Sequence, residues 1–307
     1  MPLPPHATTG QRLWLYAYRA FCGLVLLFLI LPILIVAPLS FNATPYFSFT
    51  PEMLRLDPDA YSLRWYLDIL ENGMANPALP RFSWRYLADA WQHSQWIHAA
   101  RNSFFIGAIA TAVATGLGTV AALGLSQSDM PCRKLVMSIL ISPMIVPVII
   151  TAAGLYFFFA GIGLANSYTG VILSHALLGM PFVLITVTAT LSGFDRSLMR
   201  AAGSLGAGPY TTFLRVVLPL ILPGVISGAL FAFVTSFDEV VTVIFLAGYD
   251  QQTIPRQMWA GIREQISPTI LAVATILVLI SIALLTTVEL LRRRSNRLRG
   301  FGFREGR

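Results

Sequence analysis

Two adjacent carboxylates, Asp238 and Glu239, interrupt the apolar segment Leu220–Ala247. A charged side chain near the centre of a bilayer costs about 2–3 kcal/mol or more, so such residues normally face a partner or a water-filled path. A carboxylate beside an aromatic ring is suited to bind a cationic amine, through charge attraction and through the face of the ring. The pair therefore predicts a cation-binding position within this segment.

Helical spacing extends this position into a stripe. Residues three, four and seven apart share a helix face, whereas adjacent residues diverge by about 100°. We therefore expect one acid to face a pathway and the other to pair with a neighbouring helix. A structural ion pair or a gate latch explains the acids equally well at this stage. The stripe comprises Ser227 and the candidate pathway residues Phe231, Thr235, Asp238, Glu239 and Thr242.

A second informative stretch, Gly193–Gly224, is too polar to span a membrane and carries the signals of two short helices. Asp195 or Ser197 is suited to cap a first helix that runs to Leu205. Gly206 fits the left-handed turn that ends such a helix. The stretch therefore predicts a bend directly after Leu205.

Pro209 is placed to begin the second helix of this elbow, and Pro219 is expected to end it before the next apolar segment. One face of the second helix is apolar at helical spacing. An exposed apolar face of this kind usually marks a partner surface. Its members are Tyr210, Phe213, Leu214 and Val217.

Six apolar runs are long enough to cross a bilayer, which needs about 20 residues. The chain is 56% hydrophobic and 11% charged, whereas a soluble domain is about 25% charged. Lipid must therefore cover part of the surface, and we expect an all-α polytopic membrane protein with six transmembrane helices. The runs are Phe21–Leu39, Ser103–Leu125, Leu135–Ala160, Tyr168–Leu191, Leu220–Ala247 and Thr269–Leu291.

The net charge of +7 follows the predicted topology. With the N-terminus in the cytoplasm, about two thirds of the 21 Lys and Arg residues fall on inner segments, as the positive-inside rule requires. The charge is therefore a topology signal and argues against nucleic acid binding. An even number of spans places both termini in the cytoplasm, with the basic tail 292–307 beside the membrane lipid.

The spans and loops divide the chain into a predicted order of segments. The cytoplasmic N-terminus covers 1–20 and the first span 21–39, followed by an outer loop over 40–102. The core 103–291 contains the inner loop 193–219. In the outer loop, two similar segments that begin at Tyr61 and Phe82 read as short amphipathic helices rich in aromatic residues.

The chain offers no recognisable catalytic or metal-binding set. Its four histidines form no constellation, and for His175 we expect a hydrogen-bonded packing role because no acid shares its span. The two cysteines, Cys22 and Cys132, form no Cys-x-x-Cys pair. A membrane-embedded enzyme is therefore disfavoured. An ion-coupled secondary transporter usually has more spans and an inverted repeat, which we do not find.

The elbow resembles the "EAA" signature of ABC importer permeases, which reads Glu-Ala-Ala, three residues, Gly, nine residues, Ile-x-Leu-Pro. Here Arg200 stands at the position of the glutamate, and the remaining spacing is complete. The resemblance implies that this loop docks on a cytoplasmic ATPase. It also implies the type I permease fold, with the five-helix core in spans two to six. The residues assigned to ATPase coupling are Arg200, Ala201, Ala202, Gly206, Leu218 and Pro219.

Within that family, the sequence looks like the second permease subunit of spermidine/putrescine importers. Related permeases serve opines, amino-acid derivatives and ferric ion, so these substrates stay open. The resemblance implies a homologous permease, two copies of the ATPase and an external solute-binding protein as partners. ATP and Mg²⁺ would be bound by the ATPase, because this chain lacks a Gly-x4-Gly-Lys-Ser/Thr loop. The narrower likeness rests on 236–241, 245–248, 253–262 and 266–268.

Overall fold

The computed structural model describes residues 8–127, 130–264 and 267–298, and within them helices account for nearly all regular structure. Elsewhere in this described part, Asn42 and Tyr61 form an isolated antiparallel bridge. The helices are α1 (Thr9–Leu39), α2 (Pro51–Leu54), α3 (Arg64–Glu71), α4 (Trp84–His93), α5 (Gln95–Leu125), α6 (Arg133–Ile145), α7 (Val148–Gly161), α8 (Tyr168–Ser192), α9 (Ser197–Ser204), α10 (Pro209–Thr212), α11 (Leu218–Asp238), α12 (Val241–Leu246), α13 (Ile254–Glu264) and α14 (Thr269–Leu298).

The helices confirm an all-α polytopic membrane protein. Within the described residues, four helices are long and apolar enough to cross a bilayer: α1, α5, α8 and the continuous helix Pro209–Asp238. Helices α6 and α7 meet the same length and composition criteria only as a pair, with a bend of 102° between them, and they make a fifth span if the bent pair crosses the bilayer. The sixth predicted run, Thr269–Leu291, lies within α14. Residues 1–7 and 299–307, at the two predicted cytoplasmic ends, lie outside the described residues.

One compact unit combines the chain up to Asn72 with the chain from Gly261 onward. In this unit α1 and α3 both pack against α14. The hydroxyl of Thr269 donates to the carboxylate of Asp68 on α3 at 2.5 Å. The indole of Trp65 donates to the carbonyl of Asn42 at 2.6 Å, which fixes the start of the outer segment. Most of α1 is exposed in the isolated chain, as a lipid-facing helix would be.

The second unit, Gly73–Ala260, contains a three-helix core of α5, α8 and α11. Small residues let these helices approach closely, as is common in membrane helix packing. A Cβ added to Gly228 on α11 would lie 2.7 Å from the Cα of Val183 on α8. A Cβ on Gly118 of α5 would lie 2.8 Å from the Cβ of Val183. These glycines therefore set the distances between the three helices.

The third predicted span is not one helix. Val146 and Pro147 are both extended, with ψ near 130°, and separate α6 from α7. Proline disfavours the helical conformation of the residue before it, which explains a break at Val146. Pro143 and Pro181, in contrast, lie inside α6 and α8. The bend places α7 against α12, while α6 packs on α8.

We expect Gly228→Ala to lower the stability of the second unit. The new methyl group would meet the backbone of Val183, and such overpacking costs about 1–3 kcal/mol. Gly116→Ala is the matched control, because Gly116 on α5 is exposed and a Cβ added there would have no atom within 4 Å. Thermal unfolding in detergent should show a lower midpoint for Gly228→Ala alone. Equal midpoints for both variants would contradict the close packing of α8 and α11.

Candidate functional site

The first part of the elbow is α9, which begins beside an Asp–Ser pair. The carboxylate of Asp195 accepts hydrogen bonds from the Ser197 amide at 2.8 Å and hydroxyl at 2.6 Å. These bonds lower the pKa of Asp195 below its usual value, with a smaller contribution from the charge of Arg200. The N-cap of α9 is Arg196, whose side chain makes no capping bond, so neither Asp195 nor Ser197 is the cap as predicted. Asp195 instead holds the first residue of the helix from the position before the N-cap.

The second alanine and the glycine of the predicted coupling signature form the turn that ends α9. The Ala207 amide donates to the carbonyl of Ala202 at 3.0 Å, and the Gly206 amide donates to Gly203 at 2.9 Å. This pair of hydrogen bonds requires a left-handed residue at the glycine position. Gly206 has φ +82°, so the predicted left-handed turn is confirmed. The spacing between Ala202 and Gly206 is therefore dictated by the geometry of the turn.

The prediction that Pro219 ends the second elbow helix is wrong. Helix α10 begins at Pro209 as expected, and then continues through the π-helical turn Phe213–Val217 into α11. In that wider turn the amide of Leu218 donates to the carbonyl of Phe213. The wider turn leaves room for the ring of Pro219, which would otherwise clash with the preceding turn of the helix. Proline also has no backbone N–H, so no donor is left unpaired at this position. The result is one helix over Pro209–Asp238.

The six residues that the sequence analysis assigned to ATPase coupling are partly exposed and partly half-buried. Arg200, Ala201 and Gly206 are exposed, and Ala202 is half-buried. Leu218 is half-buried against a cluster of buried apolar residues that includes Val183, Val187 and Ile221. Pro219 is exposed on the continuous helix.

The predicted apolar face of the second helix is split. Val217 is buried and Phe213 packs against the same cluster as Leu218. Tyr210 is 75% exposed and Leu214 is 40% exposed. Leu205, next to the turn, is 89% exposed. The exposed apolar surface of the elbow therefore centres on Leu205 and Tyr210.

The acidic pair lies at a helix break, which corrects the expectation of one continuous stripe. Helix α11 ends at Asp238, and Glu239 is extended, with ψ 122°. One carboxylate oxygen of Glu239 accepts a hydrogen bond from the Thr242 amide at 2.8 Å, in the first turn of α12. Thr242 is fully buried. Glu239 and Thr242 therefore leave the predicted stripe.

Within α11 the stripe survives over Phe231, Thr235 and Asp238. Phe231 is 54% exposed and stacks on Phe182 of α8, with ring centroids 6.1 Å apart. Thr235 is half-buried, and Asp238 is exposed. The structure thus brings together three of the five candidate pathway residues on one helix face.

The short helix α12 is held at its far end by residues that the sequence did not reveal. The guanidinium of Arg256 donates to the carbonyls of Val243 and Ala247, each at 3.2 Å. A cation is favourable at a helix C-terminus because the last carbonyl groups lack partners. Arg256 is near in sequence, but an arginine after an apolar run has no distinctive pattern.

Asn102 is a second residue that sequence reasoning missed. Its side-chain amide donates to the carbonyls of Asp250 at 2.7 Å and Gln252 at 2.9 Å. The Tyr168 hydroxyl, with its single proton, lies within hydrogen-bond distance of both the Asn102 side-chain oxygen, at 3.0 Å, and the Asp250 carbonyl, at 2.7 Å. Asn102 is 5% exposed. The contacts join residues about 150 positions apart, so no local signal could have indicated them.

His175 is buried in α8, and its Nδ1 lies 2.7 Å from the Ser236 hydroxyl of α11. This contact agrees with the packing role expected for His175. Ser236 lies two residues before Asp238, so the bond ties the end of α11 to α8.

Comparisons with known proteins match this arrangement to membrane permeases. The profile of the family described as "Binding-protein-dependent transport system inner membrane component" matches residues 114–297. A spermidine/putrescine transport system permease protein PotC of Haemophilus influenzae is 29% identical over 278 residues, covering 91% of this chain and 97% of the relative. A PotC homolog of Mycoplasma pneumoniae is 30% identical and covers 91% of each chain.

A putrescine transport system permease protein PotI of Escherichia coli is 29% identical over 203 residues, which cover 64% of this chain and 72% of the relative. A chain from the crystal structure of a bacterial ABC transporter that imports the acidic polysaccharide alginate has the same fold. Its TM-score is 0.67 at 14% identity, with 93% of this chain and 99% of that chain covered. With the family profile covering more than half of the sequence, the chain belongs to the inner membrane component family of binding-protein-dependent transport systems.

Proposed function

We propose that this permease forms half of the translocation pathway of an ATP-driven importer for small polycationic amines. The observation that carries the proposal is the placement of Asp238, an exposed carboxylate at the C-terminal end of α11. The relatives named for spermidine and putrescine transport support the choice of substrate class.

Asp238 occupies a position that calls for a cation. The last carbonyl groups of a helix lack partners and carry partial negative charge, which a carboxylate at the same end reinforces. Half-helix C-terminal ends at breaks in membrane helices are known to bind cations in transporters. An ammonium group beside Asp238 would neutralise the carboxylate and the helix end together.

Glu239 has a different task, although it is adjacent. Its carboxylate is engaged with the Thr242 amide at the positive end of α12. The two acids therefore divide into a substrate counter-charge and a structural cap. Helix geometry predicts that only one of the two acids faces the pathway, and we assign that role to Asp238.

An aromatic surface lies two helical turns from Asp238 on the same face. Phe231 is about 10 Å away along the axis at 1.5 Å per residue. The exposed part of its ring is available to a second ammonium group or to the methylene chain of the amine. Cation–π contacts contribute about 0.5–2 kcal/mol, depending on how far water is excluded. An amine with separated charges thus has two places to interact.

The remaining components belong to partner subunits. We propose a homologous permease as the other half of the pathway, two ATPase copies at the elbow and a solute-binding protein outside. ATP and Mg²⁺ are assigned to the ATPase, and the permease itself carries no catalytic residues. Both termini are placed in the cytoplasm with the elbow, in the bacterial inner membrane.

Asp238→Asn should reduce polyamine uptake at least tenfold, which corresponds to about 1.4 kcal/mol. The variant removes the charge but keeps the size of the side chain. Glu239→Gln is the matched control and should retain most uptake, because an amide oxygen still accepts from Thr242. The measurement is the uptake of radiolabelled putrescine and spermidine by cells that express equal amounts of each variant. Normal uptake by Asp238→Asn would remove Asp238 from the pathway.

Glu239→Ala should destabilise α12 by about 1 kcal/mol, because it removes the acceptor for the first turn. The expected result is a lower thermal unfolding midpoint in detergent, together with faster hydrogen exchange at the amides of Val241–Leu246. Asp238→Ala serves as the control, since Asp238 lies outside α12. If both variants exchange at the same rate as the wild type, Glu239 does not act as a cap.

Gly206→Ala should weaken coupling to the ATPase. Forcing a side chain into the left-handed conformation costs about 1–2 kcal/mol, so the turn after α9 would shift. Gly208→Ala is the control, because Gly208 has an ordinary φ of −67° and no atom within 4 Å of an added Cβ. Substrate-stimulated ATPase activity of the reconstituted complex should fall for Gly206→Ala and stay near wild type for Gly208→Ala. The opposite order would refute the role of the turn.

A further inference from the structure

A cavity of about 590 Å³ lies between the elbow and the ends of α5 and α8. This volume falls within the range of about 300–1,000 Å³ that is typical of ligand pockets. Leu123 and Leu191 line it from the membrane helices α5 and α8, and Phe194, Met199 and Val217 line it from the elbow. Most of its wall is apolar, so an occupant must carry apolar surface.

The charged groups of the cavity wall are both arginines, Arg196 and Arg200. The guanidinium of Arg196 donates to the carbonyl of Ser126, which caps the C-terminus of α5. That bond engages Arg196 within the chain, where a cation at a helix C-terminus is favourable.

Arg200 differs, because its guanidinium has no hydrogen-bond or ion-pair partner among the described residues. Asp195, which precedes α9, directs both carboxylate oxygens to Ser197 and interacts with the charge of Arg200 without a direct contact. Arg200 is exposed at the mouth of an apolar cavity. An arginine in this setting is suited to a bidentate contact with a carboxylate, which a lysine would not make as well.

We propose that this cavity receives an acidic side chain of the ATPase subunit, which pairs with Arg200 while its apolar neighbours cover Met199 and Phe194. The inference rests on the proposed function, and it specifies the chemistry of the partner surface. The signature of the family has a glutamate where this chain has Arg200, so the proposal concerns a position at which this chain departs from the signature.

A protein partner fits the site better than a lipid headgroup. The cavity wall includes α9 and α10, and the neighbouring Leu205 and Tyr210 present apolar side chains on the same elbow. Exposed apolar residues next to a charged cavity indicate a protein interface, in which an apolar core surrounds a paired charge. An anionic phospholipid is the competing occupant, and the experiment separates the two.

The test measures the affinity of the purified ATPase subunit for the permease pair held in lipid nanodiscs. Arg200→Glu should raise the dissociation constant at least tenfold, and Arg200→Gln by a smaller factor. Arg215→Glu is the matched control, because Arg215 is an exposed arginine of the same elbow outside the cavity wall. Added NaCl should weaken the wild-type complex more than the Arg200→Gln complex, since screening acts on the charge pair.

Charge reversal in the partner completes the test. Acidic surface residues of the ATPase are changed one at a time to lysine, and one of them should restore binding to the Arg200→Glu permease. Equal affinities of Arg200→Glu and Arg215→Glu would overturn the proposal. So would a loss of bound anionic phospholipid in native mass spectrometry of Arg200→Glu with unchanged ATPase affinity. If the wild-type permease pair fails to bind the ATPase at all, the proposed function itself fails, independently of Arg200.

Discussion

A helix that ends within an apolar segment leaves backbone N–H and C=O groups that only the protein can satisfy, because lipid offers no partners. This constraint governs the break between α11 and α12. Helix α12 has six residues and would not be stable alone. It has a carboxylate from Glu239 at its first turn and a guanidinium from Arg256 at its last carbonyls. Glu239 accepts the hydrogen bond from the first turn of α12. The neighbouring Asp238 is therefore not needed as an acceptor for the backbone of that helix.

The sequence predicted those features that depend on local chemistry. Gly206 and Pro209 located the elbow, since a left-handed turn and a helix start each demand a particular residue. The long apolar runs located the membrane helices. The break after Asp238 was not predicted, because neither proline nor glycine occurs there. The contacts that support the break come from Glu239 and Arg256, and neither residue type marks the end of a helix in the sequence. The end predicted at Pro219 failed because the preceding turn widens.

Fold and substrate are separate questions for this fold. The alginate transporter chain has the same fold at 14% identity, although its substrate is an acidic polysaccharide. A shared helical scaffold therefore leaves the sign of the substrate charge open. Side chains at the helix break, Asp238 above all, are where a preference for cations can be built. The sequence predicted different roles for Asp238 and Glu239, whereas the backbone geometry was needed to assign one role to each acid.

The continuous helix Pro209–Asp238 has a mechanical consequence. It has 30 residues, so its axis is about 45 Å long at 1.5 Å per residue. Pro209 stands at the elbow and Asp238 at the opposite end. A tilt of about 5° around the elbow end would displace the Asp238 end by about 4 Å over this length. In the proposed importer, a small rotation of the elbow by the ATPase would therefore produce a larger displacement of the Asp238 carboxylate. That displacement is comparable to the diameter of an ammonium group.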